Sequence, residues 1–425
     1  MTRTLYLHVG APKSGTTYVQ RILDGNRRRL KDAGVLVVGR HQADRVQAAL
    51  QVREDPRWSK LPENRKDMWG RLVAEIRAWN GPTAILSYEL FSAASAEQAE
   101  RALADLAGID VHVVITSRDL ARSVPSAWQE RLKFGLTVPL EAWEPPPPHA
   151  RRSEWGWRTT DPAEVADRWG RTLPADHVHL VTVPRSAADP SELWRRFAGA
   201  CGVGEVAIDV QVPRVNESLG AVGAELLRRV NHHLRPPLDG SRERARWLRD
   251  TLAHGVVAKR TDVPLAITDA QYDEAAARAE RSIATLAAAG HPVHGDLEDL
   301  RATRPEGRFP GDVTDAEVLE AALQTIVDLL ILMRERAATS DEDEPGSTSR
   351  VRRLARRATA PYVRRTDDSL RQRIAALEAQ VAADRVLHQR VAVLHDAVTE
   401  LLLPADIRDE GVTEAALRAY RRNSL

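Results

Sequence analysis

Leu5-Tyr6-Leu7-His8-Val9-Gly10-Ala11-Pro12-Lys13-Ser14-Gly15-Thr16-Thr17 joins a short apolar run, a glycine-bounded turn and the start of a helical pattern without a break. A strand that feeds a glycine turn and then a helix is the setting in which a loop cradles phosphate. Glycine lets backbone N–H groups converge on an anion, the helix N-terminus adds partial positive charge, and Thr16 and Thr17 bring hydroxyls. Outward from this stretch, strands are predicted at residues 5–9, 35–38, 83–87, 111–116 and 177–183. Helical period is found between them at residues 17–30, 68–79, 96–106, 120–133 and 162–171. Apolar strands alternating with helices predict an α/β fold: a parallel sheet with a phosphate-binding loop, flanked by helices on both faces. After Ser191 the second half turns helical, over residues 193–201, 219–234, 242–257, 269–289 and 315–336, with Asn216 or Ser218 as an N-cap.

A nucleoside-triphosphate loop places Lys directly after its second glycine, from where it curls back to the β- and γ-phosphates. Here Thr16 takes that place, and Lys13 stands two residues before Gly15. The loop therefore suits a phosphate but not a magnesium triphosphate. A second cationic element closes the fourth predicted strand, Thr116-Ser117-Arg118-Asp119, with Ser126 eight residues beyond Arg118 on the next helix. In open α/β sheets ligands bind at the carboxyl ends of strands, and the arginine fork suits a phosphate. The third strand runs into Ser87-Tyr88-Glu89, which sets Glu89 at the same sheet edge, facing the cleft rather than the core. Capping a helix or pairing with Arg118 is the structural alternative for Glu89.

The string from Pro12 to Thr17 resembles the phosphosulfate loop of PAPS-dependent sulfotransferases, in their bacterial, carbohydrate-type branch. Arg118-Asp119 with Ser126 is similar to that family's second motif, although Leu120 stands where the family often has proline. The resemblance covers roughly residues 1–300. It implies that Lys13, Ser14, Gly15, Thr16 and Thr17 hold the 5′-phosphosulfate of PAPS, with Lys13 beside the oxygen that leaves. It implies further that Arg118 and Ser126 grip the 3′-phosphate, that PAP is the product, and that no metal takes part. The family uses His or Glu as acceptor base, and the Ser-x-Glu string looks like the Glu-using kind, so Lys13 and Glu89 are the expected catalytic residues. An in-line transfer of this kind depends chiefly on positioned cations. The family's late Arg-Lys-Gly string is absent, which leaves the adenine contacts unassigned. Two other classes compete, a small-molecule kinase, disfavoured by the displaced lysine, and a noncatalytic nucleotide-binding module. His8 reads as a core residue, His41 could touch substrate, His232 and His233 lie within a helix, and no spacing of His, Cys or carboxylate marks a metal site.

Lys and Arg total 61 against 60 Asp and Glu, a formal net charge of +1, so no global field argues for nucleic acid and anion recognition must be local. Cys201 is the single cysteine, which excludes a disulfide framework and leads to an expected cytoplasmic location. No uncharged apolar stretch reaches the roughly 18 residues that span a bilayer.

Glu144-Pro145-Pro146-Pro147-Pro148-His149, followed by Arg151, Arg152, Trp155, Trp157 and Arg158, reads as an extended loop that could cover an acceptor. With Trp143 it could make an aromatic face for a carbohydrate or glycolipid hydroxyl, a natural-product phenol or a peptide being the other acceptors open to it. Residues 1–338 are expected to form the α/β domain, followed by a linker at 339–366, acidic then basic, and a tail at 404–425. Between them, residues 367–403 form an amphipathic or coiled-coil helix, with Leu370, Ile374, Leu377 and Val381 at 4-3-4 spacing. That helix could dimerise the chain or dock on the main domain, and the basic stretch could touch anionic lipid.

Overall fold

The computed structural model describes residues 2–342 except 151–153, 186–188, 190, 212–217, 235–237, 239, 241, 242 and 261, with side chains to residue 336. The chain divides into two compact units, Met1–Met333 and Arg334–Leu425. The coiled-coil segment, the tail, the linker from residue 343, Arg151, Arg152 and residues 214–217 lie outside the described residues.

The first unit is built on six parallel strands: β1 (Thr4–His8), β2 (Val35–Val37), β3 (Thr83–Ser87), β4 (Asp110–Ser117), β5 (Val178–Thr182) and β6 (Val293–His294). Their order is β2-β3-β1-β4-β5-β6, with Leu7 opposite Leu86 on one side and Val113 on the other. One face carries Leu5, Leu7, Leu86 and Val113 against Trp69, Ile76 and Trp169. The other carries Ile85, Val114 and Val181 against Val19, Ile22 and Phe197. A sheet buried on both faces has no polar side, which is why its strands read as continuous apolar runs. The chain leaves β1 toward β3 and β2, then crosses back to β4 and β5. The carboxyl end of β1 is therefore a topological switch point, the place where open α/β sheets bind ligands.

The expected helix at 17–30 is two, Thr16–Gly25 and Arg27–Asp32. Asn26 divides them because its side-chain amide donates to the carbonyls of Ile22 and Asp209 and so competes with the helical ladder. Helix Gln42–Val52 and the two-residue edge strand β6 were not expected. Residues 244–253 are wound as a π-helix rather than an α-helix. Gly220 caps the helix Ala221–His233 in place of Asn216 or Ser218. The Ser218 hydroxyl instead donates to the Gln129 side-chain carbonyl at 3.4 Å. The last helix runs Asp315–Glu342, so the first four residues assigned to the linker continue it. Among the described residues no helix is long and apolar enough to cross a membrane.

A line of buried hydrogen bonds crosses three strands beneath the glycine turn. His8 Nδ1 lies 2.7 Å from Ser87 Oγ, and His8 Nε2 lies 3.1 Å from Thr116 Oγ1. Thr116 Oγ1 is 2.6 Å from Ser14 Oγ, which donates to the Ala11 carbonyl at 2.5 Å. The final carbonyl can only accept, so the proton direction is fixed from there back to His8 Nε2–H. Ser14 accepts from Thr116, Thr116 accepts from His8 Nε2–H, and His8 Nδ1 accepts from Ser87. Burial pulls the His8 pKa from 6.5 to about 3, which keeps the imidazole neutral and leaves Nδ1 to accept from Ser87. Replacing it by Leu leaves two buried hydroxyls short of a partner and should cost about 1–3 kcal/mol in urea unfolding. The unfolded chain binds this proton below about 6.5 and the folded chain only near 3, so wild-type stability falls as pH drops through that window. His8→Leu should flatten that slope by up to about 1.4 kcal/mol per pH unit.

Candidate functional site

The glycine turn is an extension of the β1–β4 pairing. The N–H of Val9 donates to the Val114 carbonyl at 3.0 Å and that of Ala11 to the Thr116 carbonyl at 2.8 Å. Gly10, Lys13 and Gly15 then adopt left-handed backbone, with φ of +58°, +65° and +78°. Space demands the glycines as well. A Cβ on Gly10 would meet Thr16 Cγ2 at 2.9 Å and Glu89 Cβ at 3.2 Å, and one on Gly15 would meet Leu193 Cδ2 at 2.3 Å. Lys13 holds this conformation with a side chain, a strain of about 1–2 kcal/mol of the kind found at functional loops. Gly15 is the N-cap of helix Thr16–Gly25 and offers no side-chain acceptor. The first N–H groups of that helix accordingly lack intrahelical partners and form an anion-attracting end.

Lys13 Nζ donates to Glu130 Oε1 at 3.0 Å, and the fully buried Lys133 donates to the same oxygen at 3.0 Å. Burial pushes the Glu130 carboxyl up, but the two ammonium groups outweigh it and bring the pKa to about 2. Glu130 lies on helix Leu120–Leu132, four residues after Ser126, and nothing in its local sequence signalled this contact with the loop.

Arg118 follows β4 and meets the turn directly, with Nη1 donating to the Lys13 carbonyl at 3.2 Å. Its Nε is buried without a partner, as is the neighbouring Ser117 Oγ, and among the described residues no carboxylate pairs with it. Burial lowers the pKa of this guanidinium, Arg122 lowers it further, and Asp119 partly opposes them. A sunken cation with spare donors and no counter-ion fits an anionic ligand. Asp119 anchors it by accepting from the N–H of Ala121 at 2.9 Å and of Thr303 at 2.9 Å. Ser126 stands apart, about 9 Å along the axis from the start of helix Leu120–Leu132. Its hydroxyl donates to the Arg122 carbonyl at 2.9 Å. Ser14 is fully buried, its hydroxyl held in the line of hydrogen bonds under the turn, so it supports the loop from beneath. Thr16 is nearly buried and Thr17 is exposed.

Glu89 opens the 3-10 turn Glu89–Ala93 immediately beyond β3, beside Gly10. Its Oε2 accepts from Gln20 Nε2 at 2.8 Å, and among the described residues it makes no ion pair with Arg118. Burial raises its pKa, while Gln20, Lys13 and Arg45 pull the other way without cancelling the rise. That shift favours a general base working nearer neutrality. His8 is the core histidine expected. His41 starts a helix, its N–H donating to Asp44 Oδ2 at 2.9 Å.

The 3-10 turn ends at Ala93, in the wall of a cleft of about 920 Å³ that includes no residue of the glycine turn. Arg53, Arg57, Arg131, Arg158 and Arg244 face it together with Glu54, Asp55 and Glu154. His149 and Trp155 of the proline-rich loop also line it. Trp143 and Trp157 are buried instead, Trp157 beneath Arg278 at 4.9 Å, so the expected aromatic surface reduces to Trp155. Glu154 is clamped by Arg53 at 2.6 Å and by Arg57.

A family described as a domain of unknown function (DUF6752) matches residues 370–424. No curated protein matches the chain. Among solved structures, a sulfotransferase from Alicyclobacillus acidocaldarius aligns over 50% of this chain and 87% of its own, with 15% identity and a TM-score of 0.35. The sulfotransferase domain from the curacin biosynthetic pathway aligns over 48% of this chain and 75% of its own, with 12% identity and a TM-score of 0.27.

Glu130→Gln removes the carboxylate that balances buried Lys133 and should cost about 3–5 kcal/mol in urea unfolding. Adding Lys133→Met to Glu130→Gln should recover part of that loss, because the buried charge goes with it.

Proposed function

We propose that the protein transfers the sulfuryl group of PAPS to a hydroxyl acceptor and releases PAP. The observation that carries this reading is Arg118. It is a half-buried arginine with a buried, partnerless Nε, bonded to the carbonyl of the lysine in a left-handed glycine turn at the switch point of a parallel sheet. Two cations at separate points of one crevice suit a donor with two phosphate ends. The early lysine, with Glu89 beside the turn, suits sulfuryl transfer better than magnesium-dependent phosphoryl transfer.

On this reading the helix start at Gly15 to Thr17 and the hydroxyls of Thr16 and Thr17 receive the 5′-phosphosulfate, and Arg118 receives the 3′-phosphate. Ser126 joins it if the hydroxyl turns from its own helix. Lys13 exchanges Glu130 for the oxygen between phosphorus and sulfur. As the acceptor oxygen bonds to sulfur, Glu89 takes its proton. The bond from sulfur to the bridging oxygen breaks, and the electron pair stays on the phosphate, where Lys13 stabilises it. Five arginines against three carboxylates in the cleft favour an acceptor bearing negative charge, and Trp155 offers a stacking face, which together fit an acidic carbohydrate.

Calorimetric titration should show PAP binding without metal, and no comparable binding of magnesium ATP; the opposite preference would overturn the reading. With labelled PAPS and an acceptor pool from the host, Lys13→Ala should lower turnover about 10²–10³-fold. Arg118→Ala should weaken PAP about 10- to 100-fold, the scale of hydrogen bonds to a charged group. Glu89→Gln should cost about 10²–10⁴-fold in turnover with PAP affinity kept. The acid limb of the wild-type pH profile should lie above the ordinary glutamate value of 4.5 and vanish in Glu89→Gln.

A further inference from the structure

The amino ends of the strands carry a second constellation, at the sheet edge opposite the glycine turn. Asp110 opens β4, His112 follows two residues later on the same side of the strand, and His177 stands immediately before β5. Pairing of β4 with β5 sets Val113 opposite Val178, which brings His177 alongside His112. Asp110 Oδ2 lies 3.3 Å from His112 Nε2, and Asp110 Oδ1 lies 3.5 Å from His177 Nδ1. The two imidazoles stack with centroids 4.2 Å apart and planes 12° apart. One donor atom from each of the three side chains falls within 4.8 Å of the others. The site is open to solvent but not loose, with 17%, 24% and 49% of the His112, His177 and Asp110 side chains exposed.

Behind these three residues lies a row of fixed partners. His112 Nδ1 is 2.8 Å from His179 Nε2, and His179 Nδ1 is 3.2 Å from His294 Nε2. Each nitrogen–nitrogen contact holds one proton, so among neutral rings the row runs in one of two directions. In the direction that protonates His112 Nδ1, its Nε2 lone pair faces the Asp110 carboxylate, an arrangement that only a cation between them makes favourable. His177 Nδ1 lies 3.1 Å from the Val111 carbonyl, to which the neutral ring donates, leaving its Nε2 as the lone-pair atom. Imidazoles that donate their second N–H to a fixed acceptor are oriented as metal ligands are.

We propose that Asp110, His112 and His177 bind a divalent transition metal of the zinc and cobalt class, with His179 and His294 as positioning residues. Two imidazoles and a carboxylate suit such an ion and not magnesium, which takes oxygen ligands. Remaining coordination positions fall to water. The seven steps from Asp110 to Ser117 place the ion about 23 Å from the crevice. It is a clip between the starts of β4 and β5, not a participant in sulfuryl transfer, and stands independently of that assignment. No motif announces it, since His112 and His177 lie 65 residues apart and only strand pairing unites them.

The test uses the full chain without a histidine tag, stripped by chelator. Zn²⁺ should bind in calorimetry and raise the melting temperature, Mg²⁺ should do neither, and Co²⁺ should give visible absorption bands. Asp110→Asn and His177→Gln should each weaken zinc at least about tenfold and abolish the cobalt bands. His179→Phe should weaken zinc about 10- to 100-fold, the scale for outer-shell partners. Circular dichroism and PAP affinity should be unchanged in all three, which separates loss of the metal from loss of the fold. His41→Gln, remote from the cluster, should bind zinc as wild type does. Equal zinc affinity in wild type, Asp110→Asn and His177→Gln, or no zinc-dependent rise in melting temperature, would overturn the proposal.

Discussion

The buried line from Ser87 through His8, Thr116 and Ser14 to the Ala11 carbonyl decides where the glycine turn sits. It ties β3, β1 and β4 to the turn by side chains, in addition to the ladder between the strands. Because its proton direction is single-valued, it has one arrangement, and the left-handed positions at Gly10, Lys13 and Gly15 are held against a rigid floor. Such satisfied polar networks specify one geometry where an apolar core of equal size would tolerate several. The cost is a histidine kept neutral deep in the sheet.

Above that floor the charges are arranged in pairs and exceptions. Lys13 and Lys133 share Glu130, and Arg53 and Arg57 share Glu154. Arg118 has a backbone carbonyl and no carboxylate among the described residues. An unbalanced buried cation is expensive unless a ligand completes it. This is why the site is located by the partnerless Arg118 Nε rather than by the cleft of about 920 Å³, which holds neither Lys13 nor Arg118.

How far the sequence foretold this differs by element. Strands in a sheet covered on both faces must be apolar throughout, so β1, β3, β4 and β5 were legible within a residue or two. Strand β6 has two residues and no run to detect, and its neighbours exist only through pairing with β5. The positions of Arg118 and Glu89 were legible because each follows an apolar strand end within two residues, and that of Lys13 because it lies in the glycine turn after β1. Glu130 and Gln20 were not, since both lie within helices, where a polar residue normally means solvent. Ser14 was placed in the right loop, yet the direction of its hydroxyl depends on Thr116, a residue 102 positions away. The Asp110 cluster was invisible for the same reason, and the buried Trp143 and Trp157 show that an aromatic residue in a loop need not be a surface.

The sharing of one Glu130 oxygen between two lysines has a kinetic side. In the proposed reaction Lys13 leaves Glu130 while Lys133 remains, so the carboxylate keeps one ionic partner throughout. In the proposed transfer the same carboxylate would compete for Lys13 once the sulfuryl group has gone. Such an internal rival would favour departure of the spent anion and let the loop reset by turning a single side chain.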